Sequence, residues 1–375
     1  MIYLDNNSTT PLADEVFEEM LAVSNVAFGN PGSRHIAGRK ARQVLEDSRE
    51  QIAQLLDAKP DEVIFTSGGT ESSNLAINGL TVGRKGTVIL PPGEHPATVE
   101  PIKRLVQGGC QQQKLKLTTV GQLADDAFDD LDISEAILVT AIYAHNETGT
   151  ILDLEKLSQL CEENRVPLHI DAVQATGKIP VSFRTSGAST MSIGAHKFHG
   201  PRGIGALLIR DGVKVFPQQV GGFQENSKRA GTEPVMLAAG MSKALAICCE
   251  DLDQRQQKLE SLRDQLQTGL QETCGKTVIN GDLSSRLPNT LNIAFPSCDA
   301  EALLVALDLN GVCCSHGSAC ASGSSEPAPI LLGMNCPPEV YNSSLRFSVG
   351  IQNTAEEIAS AIEIVSQTVQ RLRQT

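Results

Sequence analysis

From residue 62 to residue 210 the chain alternates short β-rich runs with stretches of helical periodicity, and few folds accept that alternation. "EVIFTS" (62–67) predicts a strand, "GGTESSNLAINGL" (68–80) a helix, "GTVILP" (86–91) a strand and "HPATVEPIKRLVQ" (95–107) a helix. "AILVTAIYA" (136–144) then reads as a buried strand, and "DLEKLSQLCEEN" (153–164) as a helix with Asp153 as its cap. "PLHIDAV" (167–173) and "IGALLIR" (204–210) read as further strands. Strands that take turns with helices predict a mainly parallel sheet covered by helices on both faces.

The pattern changes after about residue 235. One long helical stretch, broken near 250, runs to Gly275 and reads as a connector. Beyond it, "NTLNIAFP" predicts a strand, "DAEALLVALDLNG" a helix and "SSLRFSVG" a strand, and Thr354 with Glu357 forms a capping box that opens the last helix. A chain of 375 residues exceeds what one hydrophobic core usually serves, which favours two domains or one large α/β body.

Composition excludes several roles. The net charge of −13, the absence of Trp and the presence of only 3 Tyr argue against nucleic acid or an anionic membrane as the main partner. The longest apolar run, at 136–144, is too short to span a bilayer, and "MIYLDNNSTT" lacks the basic and apolar regions of an export signal. A cytoplasmic protein is expected, with its 10 cysteines as reduced thiols rather than a disulfide framework. Cys313, Cys314, His316, Cys320 and Cys336 lie close in sequence, but their spacing matches no standard metal site, and no metal is assigned.

Four stretches carry candidate chemistry. "TSGGTES" (66–72) follows a strand and opens a helix, where glycines and free N–H groups suit a phosphate. Asp171 stands at the carboxyl end of a buried strand, where open α/β sheets bind ligands. Lys197 lies in the polar, small-residue stretch "GAHKFHGP". A phosphate cradle, a carboxylate for a pyridine nitrogen and a lysine for an aldehyde are together the parts that pyridoxal phosphate requires. The fourth stretch is "GSACASGS" (317–324), where Gly, Ser and Ala flank Cys320 without apolar periodicity, a composition expected of a loop that exposes its thiol.

Taken with "YLDNNSTTP", "FGNPGSRH", "GEHPA", "HNETG", "HIDAVQATGK", "HKFHGPRGIGAL", "RAGTEP", "PNTLNIAF" and "LRFSVG", these stretches make nearly the whole chain resemble the NifS/IscS-type cysteine desulfurases, within the fold-type I pyridoxal-phosphate enzymes. The resemblance implies a large cofactor-binding domain over 15–255 and a smaller α+β domain from 1–14 and 256–375 that carries the cysteine loop. It implies that Lys197 bonds pyridoxal 5'-phosphate, that Asp171 faces its ring nitrogen, and that Gln174 and Asn146 serve its phenolic oxygen. Gly69, Thr70 and His196 match phosphate binders, and Thr232 matches one supplied by a neighbouring subunit, which implies a homodimer. His95 matches a histidine that stacks on the ring and shuttles protons, and Arg346 matches the partner of the substrate carboxylate, a group that Asn146 also serves.

The implied reaction takes L-cysteine to L-alanine, leaves the sulfur on Cys320 as a persulfide, and passes it to an acceptor protein for iron–sulfur clusters or other thio-cofactors. Gly194 departs from the pattern: many relatives carry a serine there, so the phosphate cradle is expected to have one donor fewer. A selenocysteine lyase or related class V enzyme on the same fold, and a non-catalytic sulfur-pathway scaffold, are the rival readings. Cys320 argues against the first, and the intact set of Lys197, Asp171, His95 and Cys320 against the second.

Overall fold

The structure is a computed structural model that describes residues 1–317 and 327–374; Cys320 lies outside the described residues. Its centre is a seven-stranded sheet. The spatial order is Val63–Thr66, Gly205–Ile209, Thr190–Gly194, Leu168–Asp171, Ala136–Ile142, Thr87–Leu90 and Gln111–Lys114. Only Gly205–Ile209 runs against its neighbours; every other pairing in the sheet is parallel. All seven residues of Ala136–Ile142 are buried, which is why that strand reads as a continuous apolar run rather than an alternating one. The edge strand Gln111–Lys114 is polar and mostly exposed, as a sheet edge that resists pairing with other chains should be.

Helices cover both faces. Leu75 and Ile77 of helix Gly69–Thr81 and Ile102 of helix Pro96–Gln107 pack with Ile64, Leu138 and Leu207 on one side. Helices Ile36–Leu55, Glu155–Asn164 and Val235–Glu250 bring Leu45, Leu157 and Met241 to the other, against Val139 and Met191. Asp153 does act at the start of Glu155–Asn164, though from one residue further back than an N-cap, accepting the Glu155 N–H at 3.0 Å.

The expected long helical stretch is two helices, Val235–Glu250 and Leu252–Thr273, which meet at a non-helical Asp251. A second core follows. The antiparallel strands Ser344–Ser348, Thr290–Ala294 and Val278–Asn280 pack with helices Leu252–Thr273, Ala300–Leu309 and Ala355–Leu372. The chain's start joins this unit, because Ile2–Tyr3 pairs in parallel with Val312–Cys313 and Leu4 is buried in the same cluster. Residues 5–10 then run from that unit toward the ends of the large sheet, where Thr10 N donates to His196 O. The first residues of the chain are therefore placed to build a site with the strand ends.

Candidate active site

A cavity of about 470 Å³ opens beyond the carboxyl ends of the parallel strands, and its wall combines residues from both cores. One end is the turn from strand Val63–Thr66 into helix Gly69–Thr81. Gly68, the helix N-cap, takes a φ of 151°, a conformation that side-chain-bearing residues rarely adopt. At Gly69 a Cβ would stand 2.6 Å from Val173 Cγ2, so glycine is what lets the turn lie against the loop after Asp171. Gly69 and Thr70, the first residues of the helix, line the cavity, and their N–H groups belong to the first turn, which has no intrahelical acceptors and carries the positive end of the helix. This cradle fits a phosphate. Gly194 adjoins it: a Cβ there would lie 3.4 Å from Gly69 N and 3.8 Å from His196 Cδ2.

Asp171 ends strand Leu168–Asp171 and is 4% exposed. Burial pushes its carboxyl up, while the Val173 N–H, which it accepts at 3.0 Å, and the nearby His95 and Lys197 pull the other way. A buried carboxylate of this kind suits a protonated ring nitrogen. Lys197 closes the short 3-10 turn that follows strand Thr190–Gly194, and its Nζ donates to Asn7 O at 2.6 Å and Ser8 O at 2.8 Å. The amine is thus held over the cavity by two backbone carbonyls.

His95 caps helix Pro96–Gln107, its Nδ1 accepting the Ala97 N–H at 3.1 Å. That bond places the ring proton of the neutral imidazole on Nε2. His196 lies beside the phosphate cradle, where burial, and next Lys197, push its pKa down to about 4. Gln174 and Asn146 also line the cavity; the Asn146 amide donates to Glu147 Oε1 at 2.9 Å.

Arg346 is almost fully buried and already well partnered. One terminal nitrogen donates to Glu147 Oε1 at 2.6 Å and Asn146 O at 3.2 Å, the other to Asp5 Oδ1 and Ser8 Oγ, both at 2.7 Å. Any further carboxylate must share or displace one of these acceptors. Thr232 is exposed and is not among the residues lining the cavity.

Several residues that shape the site lie in stretches quoted above but were given no role there. Asn7 links it together: its carbonyl accepts Lys197 and Gln174, its amide nitrogen donates to Asn146 O and Thr290 Oγ1, and its amide oxygen accepts Lys178 and Asn289. Glu94 sits just before His95, and burial pushes its carboxyl up to about 8. Arg229 of "RAGTEP" reaches across to Glu71 on the first turn of the cradle helix at 2.8 Å. Among the described residues, no group of three or more His, Cys, Asp or Glu is placed to hold a metal ion.

The family model for aminotransferase class-V matches residues 2–360. The chain belongs to the class-V aminotransferase family. Within this family it is 40% identical to a protein named cysteine desulfurase IscS from Dictyoglomus turgidum, over 99% of this chain and 95% of the relative. It is 39% identical to a cysteine desulfurase from Nostoc sp., over 100% of this chain and 94% of the relative. Among solved structures, one described as a NifS-like protein superposes with a TM-score of 0.92 at 32% identity, over 99% of both chains. Another, described as SspA in complex with cysteine, gives 0.82 at 28% identity over 93% of this chain and 99% of the other. These class-V relatives place the chain among fold-type I enzymes, and the cysteine desulfurases in this family depend on pyridoxal phosphate. No helix of the described residues is long and apolar enough to cross a membrane.

Proposed function

We propose that this class-V enzyme is a cysteine desulfurase that takes L-cysteine to L-alanine and hands the sulfur to Cys320. The observation that carries the reading is the convergence of the Gly69 cradle, Asp171, Lys197 and His95 on one cavity. Gly69 and Thr70 N–H groups with His196 would hold the phosphate of pyridoxal phosphate, Asp171 its ring nitrogen, Gln174 and Asn146 its phenolic oxygen, and the Lys197 amine its aldehyde. When bound, that cofactor accepts the electron pair released at the substrate Cα.

The protein's own groups do the rest. Lys197 and His95 are the bases within reach of the cavity that can move protons at the substrate. Arg346 orients the substrate carboxylate by exchanging one of its present acceptors, Asp5 or Ser8, for it. The Cys320 thiolate attacks the substrate sulfur: the S–S bond forms as the Cβ–S bond breaks, the electron pair stays on Cβ, and a proton delivered there completes the alanine methyl. An acceptor protein then takes the persulfide sulfur.

The reading extends to architecture and assembly. Residues 15–255 form the cofactor-binding domain, and 1–14 with 256–375 the domain that carries Cys320. The working unit is a homodimer in which Thr232 serves the partner's phosphate site. Supporting the dimer, Phe17, Leu21, Phe28 and Phe223 are large apolar side chains left exposed, Phe223 at 89%. Incubating the purified protein, loaded with pyridoxal phosphate, with L-cysteine and a reductant should yield sulfide and alanine in equal amounts. Absence of both products overturns the reading.

A further inference from the structure

Lys178 is a second lysine near the site and, unlike the half-buried Lys197, is buried, 6% exposed, and no described ion pair includes it. Burying an amine without a carboxylate is costly, so its surroundings must use it. Its Nζ donates to Gln174 Oε1 at 2.6 Å and to Asn7 Oδ1 at 3.1 Å. Lys178 follows Gln174 by four residues on the turn after strand Leu168–Asp171. Gly177, at a φ of 75°, makes the turn tight, and a Cβ there would stand 2.6 Å from Phe198 Cβ. The lysine is therefore held behind Gln174 and does not line the cavity.

An amide's oxygen and nitrogen ends have nearly the same shape, so sterics alone do not decide which way Gln174 points. A lysine head placed as a donor does decide it, because the amide must turn its oxygen toward the donor. With Oε1 held by Lys178, Nε2 points the other way. One of its two protons goes to Asn7 O at 2.8 Å, the same carbonyl that accepts Lys197, and the second remains for the cavity that Gln174 lines. The same donor fixes Asn7, whose amide nitrogen then faces Asn146 O.

We propose that Lys178 is a positioning residue that fixes the Gln174 amide so that an N–H, and not an oxygen, is presented to the phenolic oxygen of pyridoxal phosphate. The inference rests on the reading of this cavity as the site of that cofactor. A flipped amide would set two acceptors against each other and turn an attraction into a repulsion.

The test is equilibrium dialysis of the holoenzyme, reading the Kd for pyridoxal phosphate and the visible absorbance maximum of the bound cofactor in wild type, Lys178→Met, Gln174→Leu and the double variant. Loss of one hydrogen bond to a charged acceptor weakens binding by about tenfold. Lys178→Met is expected to raise Kd by about that factor and to move the absorbance maximum in the direction that Gln174→Leu moves it. The double variant is expected to be no worse than Gln174→Leu alone, since Lys178 has nothing left to orient. Lys178→Gln, which keeps a donor at the position, should recover part of the loss, and it carries the test if Lys178→Met does not fold. Wild-type Kd and absorbance in Lys178→Met, or an equal loss with and without Gln174, overturns the inference and leaves the functional reading standing. A wild-type protein that binds no pyridoxal phosphate overturns both.

Discussion

Glu94 and Ile142 tie the loop that carries His95 to the strand end beside Asp171: Glu94 Oε1 accepts the Ile142 N–H at 2.6 Å, and Ile142 is the register partner of Asp171. The other carboxyl oxygen is buried without a hydrogen-bond partner. Burial, with Asp171 nearby, pushes Glu94 up to about 8, so near neutral pH it holds a proton and bonds as a neutral carboxylic acid.

That shift has a signed consequence for stability. A carboxyl whose pKa is higher in the folded state binds its proton more tightly there, so its contribution is full below its unfolded value and is lost as pH rises toward 8. The buried His145 and His169, pushed down to about 4 and about 3 by burial, act in the opposite direction but only below about pH 6.5. Between pH 6.5 and 8 the slope of denaturant midpoint against pH should therefore be more negative in wild type than in Glu94→Gln, which cannot ionise; the buried amine of Lys178, pushed down by burial, adds an opposite slope that both proteins share. Glu94→Ala should cost about 1–3 kcal/mol at pH 7 by leaving the Ile142 N–H buried and unpaired. Parallel slopes for wild type and Glu94→Gln would refute the account.

Lys197→Ala should remove the visible absorbance that a covalent bond to pyridoxal phosphate produces, while the protein stays folded. The amine donates to two backbone carbonyls on the cavity wall, Asn7 O and Ser8 O, and lies outside both apolar cores, so the fold does not rest on it. Dialysed variant that remains as yellow as wild type would show that another amine holds the cofactor.

Gly194→Ser should tighten retention of pyridoxal phosphate. The new Cβ has room, 3.4 Å from Gly69 N and 3.6 Å from Val173 Cγ1, and its hydroxyl would stand at the mouth of the helix cradle. One added hydrogen bond to an anion is worth on the order of 1 kcal/mol, or several-fold in Kd. Equal or faster cofactor loss on dialysis would count against this cradle as the phosphate site.

The parts of the molecule legible in sequence were those whose signal is local. The apolar run 136–144, the glycine turn at 68–69 and the Thr354–Glu357 box each state their own geometry, and each is found. Strand Thr190–Gly194 was not, because it is "TMSIG" and buries hydroxyls where an apolar run would be the cue; Ser192 bonds Ser73, and Thr190 bonds His169. The edge strand "QQQK" hides for the opposite reason, as it buries too little. Helix Asp14–Val26 keeps Phe17 and Leu21 exposed, which blurs its inward-facing stripe. Within the site, Asp171, Lys197 and His95 stand in recognisable motifs. Asn7 and Lys178 stand in the quoted "YLDNNSTTP" and "HIDAVQATGK" too, but their roles come through contacts more than 160 residues apart in sequence or through an amide's orientation, which spacing does not state.

Arg346→Lys should raise the KM for L-cysteine more than it lowers kcat. A lysine carries one charge but cannot repeat the fork that now joins Glu147, Asn146 O, Asp5 and Ser8. Asp5→Asn should do the reverse and lower KM, because it weakens an acceptor with which the substrate carboxylate competes. A KM unchanged in both variants would place the substrate carboxylate elsewhere.

Cys320→Ala separates the two halves of the proposed reaction. In the proposed reaction Asp171, Lys197 and His95 would act on the cofactor ring and the substrate Cα, and none of those roles depends on a thiol. The variant should bind pyridoxal phosphate with wild-type affinity, and adding L-cysteine should still change the absorbance of the bound cofactor. Sulfide release under a reductant should fall by several orders of magnitude, because the group that takes the sulfur is gone. The other nearby cysteines make poor substitutes. Burial pushes the thiols of Cys313, Cys314 and Cys336 up, Cys314 most strongly, so each offers less thiolate at neutral pH than an ordinary cysteine. Replacing any of these three by alanine should leave sulfide release within a few-fold of wild type. Near-normal turnover in Cys320→Ala would remove Cys320 as the sulfur carrier and favour selenocysteine over cysteine as the substrate, since selenium leaves without a thiol to receive it.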